Sequence, residues 1–433
     1  GNFVGFDVII GNPPYIRQEE IKDLKPYLSR RFQTYSGTAD LLVYFIEWGL
    51  TLLKPNGQFS YIVANKFMRA GFGRPLRKWL RQWQLAELYD FGDLPVFEEA
   101  TTYPLVLSVR KAPPYEPVRV ANVQTLDFPN LSAYLTEHAF AMRPDNLADE
   151  GWTLSDAAVS DLLRKIQLQG EPLGQYVGGK IYRGVLTGLN EAFVIDADTR
   201  QRLIEADSRS AEVIKPFLAG RDVKRYQVPR EGTYLILIPS GFTQKQFGKL
   251  PEAEAFDKMQ SLYPAILSYL KAFEVPAKKR SDKGQYWWEL RACDYYEEFA
   301  KPKLVFPDIA VKMQVCYLVD EVLFANTCYM IPKDDKFLLS VMNSKLMLFT
   351  YQAMSASIRG GYMRFFKQYV EQLPIKSIPP ENQAVFIQKV EQILAARRTD
   401  PQADTAALET DLDRMVYQLY DLTDEEIAVV EGG

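Results

Sequence analysis

An apolar pentapeptide followed by a rigid turn constrains the fold of this chain more than any other feature. The segment FDVII (residues 6–10) is almost wholly apolar, and GNPPY (residues 11–15) follows it directly. A continuous apolar run, rather than an alternating one, is typical of a parallel-sheet strand covered on both faces. The glycine and the two prolines end such a strand. The sequence therefore predicts a buried strand with a rigid loop at its carboxyl end.

The segments that follow have the pattern of a parallel α/β unit. Residues 40–53 (DLLVYFIEWGLTLL) predict a helix with a broad apolar face, residues 54–57 a turn, and residues 58–63 a second strand. A strand–helix–strand connection of this kind is right-handed and parallel. A basic helix at 74–85 and strands at 88–91 and 104–109 complete the prediction for this region.

The remainder of the chain predicts different structure. Residues 111–170 are rich in proline and predict an irregular connector, and the region from 173 to about 380 is rich in strands and turns. Helices are predicted at 251–273, 337–354, 381–398 and 406–420. The expected domains are a partial catalytic domain at 1–115, a connector at 116–170, a recognition domain at 171–380 and a helical tail at 381–433.

Composition excludes several kinds of chemistry. The only histidine is His138, so imidazole-based nucleophilic catalysis and a histidine-rich metal site are not expected. Three cysteines without a CxxC pair predict reduced thiols in a cytoplasmic protein, with no metal site. Residues 399–433 hold ten acids and one base, so the rest of the chain is net positive although the whole chain carries −4.

The loop NPPY (residues 12–15) is suited to methylation of an amine whose lone pair is delocalised. The side-chain oxygen of Asn12 and the carbonyl of Pro13 can each accept one N–H of an adenine amino group, which localises the nitrogen lone pair toward a methyl donor. Tyr15 offers a flat face to a base that has left the DNA stack. The alternative interpretation is that NPPY is only a tight turn.

Three segments carry a resemblance to a known family. FDVIIGNPPY, ADLLVYFIEWGLTLLKPNGQFSYIVANKF and ELYDFGDLPVFEEATTYPLVLSV resemble N6-adenine DNA methyltransferases of the TaqI type, which include the methyltransferase parts of type IIG restriction–modification enzymes. From residue 173 onward, YRGVLTGLNEAFVID, IKPFLAGRDVKRY, FANTCYMIP and MNSKLMLF through IRGGYMRFFKQYVEQLPI resemble the TaqI-like target-recognition domain. The implied fold class is α/β: the C-terminal half of a Rossmann-like class I methyltransferase domain, then an α+β target-recognition domain and a helical tail.

The resemblance implies roles for particular residues. It places Asn12, Pro13 and Tyr15 in catalysis and Phe97 in the pocket of the flipped base. It places S-adenosylmethionine on Asn12, Pro14, Asp40 and Phe45. From the residues alone, a core position on an amphipathic helix is the preferred interpretation of Phe45.

One departure from the family concerns the cofactor. The family has a Gly-rich S-adenosylmethionine loop ahead of NPPY, and no such loop occurs in this chain. We therefore expect that the first strands of the sheet belong to a segment upstream, that this chain alone binds S-adenosylmethionine weakly and is inactive, and that strand 6–10 exposes an apolar edge. The resemblance also makes an upstream endonuclease domain an expectation.

Basic residues among aromatics and glycines are candidate contacts to double-stranded DNA. For each one taken singly, a solvated surface charge is the alternative interpretation. The run 278–280 (KKR) predicts an exposed loop that contacts phosphate. The candidate DNA-binding residues are Arg183, Lys224, Arg225, Arg359, Tyr362, Arg364 and Lys367.

Three functions remain open from the sequence. The first is site-specific adenine-N6 methylation of DNA within a restriction–modification system. The second is a DNA-binding specificity module that lacks cofactor binding. The third is an NPPY methyltransferase acting on protein glutamine or RNA, since an amide nitrogen poses the same chemical problem as an adenine amine.

Overall fold

The structure is a computed structural model that describes residues 3–97, 102–227, 232–355, 357–358 and 361–432. It divides into two compact units. The first unit comprises Gly1–Ile166, Phe349–Arg364 and Asp424–Gly433, and the second comprises Gln167–Leu348 and Phe365–Thr423. The chain thus leaves the first unit and returns to it twice. Among the described residues, every helix is too short or too polar to span a bilayer.

The strands are, in chain order, β1 Phe6–Gly11, β2 Leu53–Ala64, β3 Gln84–Asp90, β4 Pro104–Arg110, β5 Val118–Asn122, β6 Phe140–Met142, β7 Glu171–Pro172, β8 Tyr182–Arg183, β9 Val194–Asp196, β10 Ile214–Leu218, β11 Thr233–Ile236, β12 Lys303–Pro307, β13 Ile309–Ala310, β14 Cys316–Leu318, β15 Leu323–Phe324, β16 Cys328–Ile331, β17 Ser357–Ile358, β18 Tyr362–Arg364 and β19 Pro374–Ile375.

The α-helices are α1 Lys25–Arg31, α2 Leu42–Thr51, α3 Arg74–Leu80, α4 Leu131–His138, α5 Ala157–Gln169, α6 Leu173–Tyr176, α7 Asn190–Phe193, α8 Ala197–Ala206, α9 Ser210–Val213, α10 Phe242–Phe247, α11 Glu252–Leu262, α12 Pro264–Lys271, α13 Glu274–Lys279, α14 Lys336–Met342, α15 Lys345–Met354, α16 Lys367–Val370, α17 Pro380–Thr399, α18 Ala406–Leu419 and α19 Asp424–Glu431.

The first unit is built on a six-stranded mixed sheet with the order β1-β2-β4-β3-β5-β6. The pairs β1–β2 and β3–β5 are parallel, and β4 runs antiparallel to both β2 and β3. The predicted strand–helix–strand unit is therefore confirmed as β1, α2 and β2. It follows that β1, β2, β3 and β5 all point the same way, and their carboxyl ends lie at one edge of the sheet. The turn predicted at 54–57 is wrong, because these residues belong to β2 and form an irregularity in its pairing with β1.

The region 116–170, expected as a connector, contributes to this sheet. Strands β5 and β6 extend it beyond β3, and Trp152 is fully buried in the core of the same unit. The prolines of this stretch lie between short elements rather than within them, which is why a proline-rich sequence still supplies strands. The catalytic-type unit thus continues past residue 115.

The first strand lies at the edge of the sheet. Phe6, Val8 and Ile10 are 48%, 62% and 81% exposed, although all three are large apolar side chains. The expected apolar edge on strand 6–10 is therefore present, and the prediction that this strand is buried is wrong within this chain. Nothing among the described residues covers this side of β1.

The second unit contains two four-stranded sheets, with the orders β15-β10-β11-β9 and β14-β12-β16-β8. The single helix predicted at 251–273 is two helices, α11 and α12, because Pro264 has no N–H to continue the first one and begins the second. The predicted helices at 381–398 and 406–420 are present as α17 and α18. The chain as a whole is a mixed α/β protein.

Candidate active site

The loop 12–15 begins where β1 ends, at the edge shared by the carboxyl ends of the parallel strands. Asn12 and Pro14 are exposed there, whereas Pro13 is buried and Tyr15 is half-buried. The Tyr15 hydroxyl donates a hydrogen bond of 3.2 Å to the carbonyl oxygen of Ile62 on β2. Burial raises the pKa of Tyr15. The tyrosine ring is therefore fixed to the adjacent strand while Asn12 remains accessible.

Two of the predicted site residues are in contact. The rings of Tyr15 and Phe97 meet edge to face, with centroids 6.3 Å apart and planes at 63°. Phe97 lies on the loop that follows β3, whereas Tyr15 follows β1. The fold thus brings together one aromatic residue from each of two loops at the same sheet edge.

The segment after Tyr15 is held against the start of α2. The backbone N–H of Leu41 donates to the carbonyl of Ile16 at 3.0 Å. One carboxylate oxygen of Asp40 accepts a hydrogen bond from the backbone N–H of Gln18, also at 3.0 Å. Asp40, predicted as a cofactor ligand, therefore makes a structural bond that positions the backbone just beyond Tyr15.

Phe45 lies half-buried on α2 and lines a cavity of about 170 Å³. Tyr44, Trp48 and Phe32 line the same cavity, so its walls are mainly aromatic. Glu47, on the same helix, is buried and accepts hydrogen bonds from the backbone N–H groups of residues 33 and 34. The helix thus presents an aromatic surface, and the Glu47 carboxylate connects it by hydrogen bonds to the backbone of residues 33 and 34.

A second group of polar side chains lies at the same sheet edge, and it was missed from the sequence. Asn65 follows β2, Asp90 ends β3 and Asn122 ends β5. The side-chain amide of Asn65 donates to Oδ1 of Asp90 at 2.9 Å, and the N–H of Gly92 donates to the same oxygen at 3.0 Å. Each of these polar residues stands at the carboxyl end of an apolar run. The same signal singled out Asn12, and it could have found these residues as well.

Desolvation raises the pKa of Asp90, although the hydrogen bonds from Gly92 and Asn65 and the nearby charge of Arg69 each lower it. Gly92 has a φ of +53°, a left-handed conformation that glycine adopts without strain. The loop that leads to Phe97 therefore begins at a turn that Asp90 fastens to the end of β2.

The candidate DNA-binding residues fall in both units. Tyr362 and Arg364 are exposed on β18 of the first unit. In the second unit, Lys224 is exposed and Lys367 is half-buried at the start of α16. Arg359 lies outside the described residues.

Two candidate arginines are engaged within the second unit. Arg183 donates from Nε to the carbonyl of Asn326 at 2.6 Å, and the hydroxyl of Tyr295 donates to the Arg183 carbonyl at 2.9 Å. Arg225 forms an ion pair with Glu409 at 2.9 Å, and both side chains are mostly buried. Arg225 is thus held by an acid of the same unit, which the sequence did not indicate.

The run 278–280 was predicted as an exposed loop, and for Arg280 this is wrong. Its guanidinium is buried and donates to the carbonyl oxygens of Thr187, Trp287 and Glu289. Desolvation lowers the pKa of Arg280 to about 10. These carbonyls belong to residues distant in sequence or on the following turn, so they satisfy the charge in a way that a local pattern cannot show.

The other groups named from composition are not assembled into a site. His138 ends α4, exposed, with its ring stacked on Tyr134 at 4.1 Å. All three cysteines are free thiols, and burial raises the pKa of Cys316 to about 12. The described residues contain no group of three or more His, Cys, Asp or Glu side chains that could hold a metal ion.

Two family profiles match the chain. The profile of the Eco57I restriction-modification methylase matches residues 1–97, and that of the TaqI-like C-terminal specificity domain matches residues 215–375. The first range contains NPPY, α2 and Phe97, and the second lies almost wholly in the second unit. The chain is therefore similar to the class of proteins in which a restriction-modification methylase domain precedes a specificity domain.

Similar proteins agree with this class. The chain is 27% identical to the type II methyltransferase M.PaeR7I of Pseudomonas aeruginosa over 99% of its length and 72% of that protein. It is 26% identical to the type II methyltransferase M.XhoI of Xanthomonas vasicola, over 98% of this chain and 76% of the relative. A third relative, the restriction enzyme and methyltransferase RM.Eco57I of Escherichia coli, is 26% identical over 64% of this chain and 29% of its own length. These relatives are type II methyltransferases, one of them also a restriction enzyme, and the chain is similar to them at 26–27% identity.

The fold agrees with a solved structure. The type IIL restriction-modification enzyme MmeI, determined in complex with DNA, superimposes with a TM-score of 0.60 over 97% of this chain. The sequence identity is 12%, so the likeness concerns the fold alone. The chain spans 55% of the length of MmeI.

Proposed function

We propose that this chain is part of an S-adenosylmethionine-dependent methyltransferase that acts on adenine N6 in double-stranded DNA. It supplies the loop that binds the adenine amino group and the part that recognises the DNA sequence. The observation that carries the proposal is the NPPY loop at the end of a parallel strand, with the ring of Phe97 against that of Tyr15. The matches to a restriction-modification methylase profile and to type II methyltransferases support methylation of DNA. The geometry of this loop supports adenine as the base.

The side chains of the loop would act on the amino group of a flipped adenine. Asn12 Oδ1 and the carbonyl of Pro13 each accept one N–H, so the nitrogen lone pair turns out of the ring plane toward the methyl donor. The prolines fix the backbone, so the Pro13 carbonyl needs no reorganisation. Tyr15 and Phe97 would bind the base by its faces and replace the stacking that it loses on leaving the duplex.

The methyl group would come from S-adenosylmethionine, which supplies an electrophilic methyl sulfonium. The aromatic cavity beside Phe45 fits one flat ring of this cofactor, because its walls are aromatic and its volume is about 170 Å³. The rest of the cofactor has no enclosing wall among the described residues, since β1 is the edge strand. Phe45 and its neighbours therefore account for part of the cofactor site.

The bare edge of β1 supports a further element of the proposal. An edge strand leaves a row of backbone N–H and C=O groups unpaired, and another strand can pair with them. We infer that a segment upstream of this chain adds the cofactor-binding strands to β1, as half of a Rossmann-like sheet, and that this chain alone binds S-adenosylmethionine weakly. Calorimetric titration of the isolated chain tests this, and micromolar affinity would contradict it.

The recognition role is proposed for the second unit, within residues 171–380. Of the helical tail at 381–433, the part up to Thr423 belongs to the same unit. The match to the specificity domain supports this role. The parent system would be of the type IIG kind, in which an endonuclease domain accompanies the methylase. The exposed Lys224 of this unit and the exposed Tyr362 and Arg364 of the first unit are the proposed DNA contacts.

A methyl-transfer assay with the full-length gene product tests the proposed function. Duplex DNA, RNA and a release-factor peptide are offered in parallel with labelled S-adenosylmethionine, and the modified nucleoside is identified by mass spectrometry. We expect N6-methyladenine in DNA, and its loss in Asn12→Ala. Label in the peptide or in RNA, with none in DNA, would overturn the proposal.

A second candidate function is DNA binding without methyl transfer by this chain alone. The uncovered β1 edge favours this function. Among the described residues, only the cavity beside Phe45 would enclose part of S-adenosylmethionine, so the chain alone would bind the cofactor weakly. The isolated chain would then bind duplex DNA, as measured by fluorescence anisotropy, without methylating it.

A further inference from the structure

A cavity of about 630 Å³ lies beyond the carboxyl ends of β2, β3 and β5, within the first unit. Its lining is mostly polar and includes Asp90, Asn122, Gln124 and Gln352. Tyr103, half-buried just ahead of β4, contributes an aromatic ring. The cavity is distinct from the contact between Tyr15 and Phe97, yet the loop that carries Phe97 begins at its wall.

The orientation of the Asp90 carboxylate is fixed by its hydrogen bonds. Both the Asn65 amide and the Gly92 N–H donate to Oδ1, at 2.9 and 3.0 Å. Among the described residues, Oδ2 accepts no hydrogen bond, although Asp90 lines the cavity. Oδ1 therefore connects the ends of β2 and β3 through its hydrogen bonds, and Oδ2 is an acceptor available to a ligand.

The neighbouring side chains supply donors. Asn122, Gln124 and Gln352 are exposed in the cavity, and each carries an amide NH₂. The Asn122 amide gives one hydrogen to the carbonyl of Leu154 at 2.7 Å and has a second one left. The cavity thus presents the Asp90 carboxylate among amide donors, with Asp93 and the guanidinium of Arg69 also in its lining and a ring on which a flat ligand can stack.

This set of groups matches one kind of base edge. Thymine and guanine present an N–H beside a carbonyl oxygen, which pairs with a carboxylate beside an amide NH₂. Adenine and cytosine present a ring nitrogen at that position, whose lone pair a carboxylate repels. The distance from the loop 12–15 to Asp90 corresponds to three strand spacings, about 14 Å, so one duplex can reach both places.

We propose that this cavity is a second base-binding site, which holds an unpaired thymine or guanine of the substrate DNA through its N–H to Asp90 Oδ2 and through its carbonyl oxygen to the surrounding amides. The assignment rests on the proposed function, because it requires DNA on this edge of the sheet. A methyltransferase that extrudes one base leaves its neighbours or its partner unpaired, and such a base is the ligand in question.

The substitution Asp90→Asn isolates the proposed contact. Because Oδ1 is locked by two donors, asparagine keeps its oxygen in that place and puts an NH₂ where Oδ2 was. The fold-holding bonds are retained, and the atom facing the ligand changes from acceptor to donor. Asp145→Asn is the matched control, since it removes the same charge from an exposed position of the same unit outside this cavity.

The test measures binding of the whole chain to duplexes with one unpaired base, by fluorescence anisotropy. The wild type is expected to prefer an unpaired thymine over an N3-methylthymine at the same place by about tenfold, the usual value of a hydrogen bond to a charged group. Asp90→Asn is expected to abolish this preference and Asp145→Asn to preserve it. Should Asp90→Asn fold poorly by thermal melting, Gln124→Ala and Gln352→Ala are each expected to reduce the preference.

The outcomes separate this assignment from the proposed function. Duplex binding without any thymine preference, or a preference that survives Asp90→Asn, would overturn the second site and leave the proposed function standing. Loss of the preference in Asp145→Asn as well would show an effect of charge alone and would also overturn it. Failure to bind any duplex would overturn both.

Discussion

The ring of Tyr15 meets the ring of Phe97 edge to face at 6.3 Å, although one follows β1 and the other follows β3. Two strands separate these positions in the sheet. The loop after β3 must therefore cross the ends of β4 and β2 to reach Tyr15, and its start is fixed by Asp90 through Gly92. The contact therefore joins two loops that leave the same edge of the sheet.

Removal of either ring is expected to weaken capture of an extruded base. Stacking of a base on an aromatic side chain contributes about 1–3 kcal/mol, so Phe97→Ala should reduce binding by about tenfold or more. Fluorescence of 2-aminopurine at the target position of a duplex checks this, because the signal falls when the base restacks. Tyr115→Ala, at an exposed aromatic in the same unit, is the control, and equal losses in both variants would contradict the assignment.

Asp40 is expected to act through the backbone that it holds. Asp40→Ala removes the acceptor for the Gln18 N–H and should lower methyl transfer by the full-length gene product, with a cost in stability of about 1.5–3 kcal/mol. Asp40→Asn keeps an oxygen in that place and should stay close to wild type in urea unfolding and in activity. If the carboxylate bound the cofactor directly instead, Asn would fail as badly as Ala, and the KM for S-adenosylmethionine would rise in both.

Lys224 and Arg225 are adjacent in sequence and are expected to behave differently. Lys224 is exposed, so Lys224→Ala should weaken DNA binding and lower the slope of log affinity against log salt by about 1. Arg225 is paired with Glu409, so Arg225→Ala should instead cost about 1–3 kcal/mol of unfolding free energy. Salt titrations of anisotropy and urea melts measure the two effects, and a reversed pattern would refute the distinction.

The buried Lys303 predicts a pH dependence of stability. Its ammonium donates to the carbonyls of Lys301 and Asp320 at 2.9 and 2.8 Å, and desolvation lowers its pKa to about 8. The unfolded chain holds this proton up to its ordinary pKa of 10.5, so the unfolded state binds more protons between pH 8 and 10.5. The free energy of unfolding should therefore rise with pH over this interval, by at most about 3 kcal/mol.

The variant Lys303→Met is the reference for this effect, since it keeps most of the stem and has no proton to lose. The difference between the two unfolding curves, measured from pH 7 to 10.5, removes the titration of every other group. If the difference in unfolding free energy between wild type and Lys303→Met did not change with pH, the pKa of Lys303 would be the same in the folded and unfolded states, which would contradict the prediction.

The elements around the loop 12–15 could be predicted because their signals are local. Apolar runs, the two prolines and the following apolar helix specify β1, α2 and β2 without reference to distant residues. The break between α11 and α12 at Pro264 could also have been predicted from the sequence, since a proline within a helix removes a backbone hydrogen-bond donor. The strands at 118–122 and 140–142 were hidden because they are short and lie among prolines.

The contacts that long-range packing creates could not be predicted. Arg280 and Arg225 belong to basic clusters that indicate an exposed surface, yet backbone carbonyls enclose one and Glu409 neutralises the other. The fastening of Asp90 to Asn65 requires the order of strands in the sheet, because β4 lies between their strands. Sequence thus indicated which residue types end the strands, and only the fold shows which of them meet.

The return of residues 349–364 to the first unit has a practical consequence for engineering. Arg69 donates to the carbonyl of Ser355, and Thr153 donates to that of Ala353 at 2.8 Å, so this late segment completes a structure begun in the first 166 residues. A single cut near residue 166 would leave the amino-terminal fragment without these partners. Exchange of specificity between relatives therefore calls for a cassette with several junctions, and a simple tail-for-tail fusion would discard part of the domain it aims to keep.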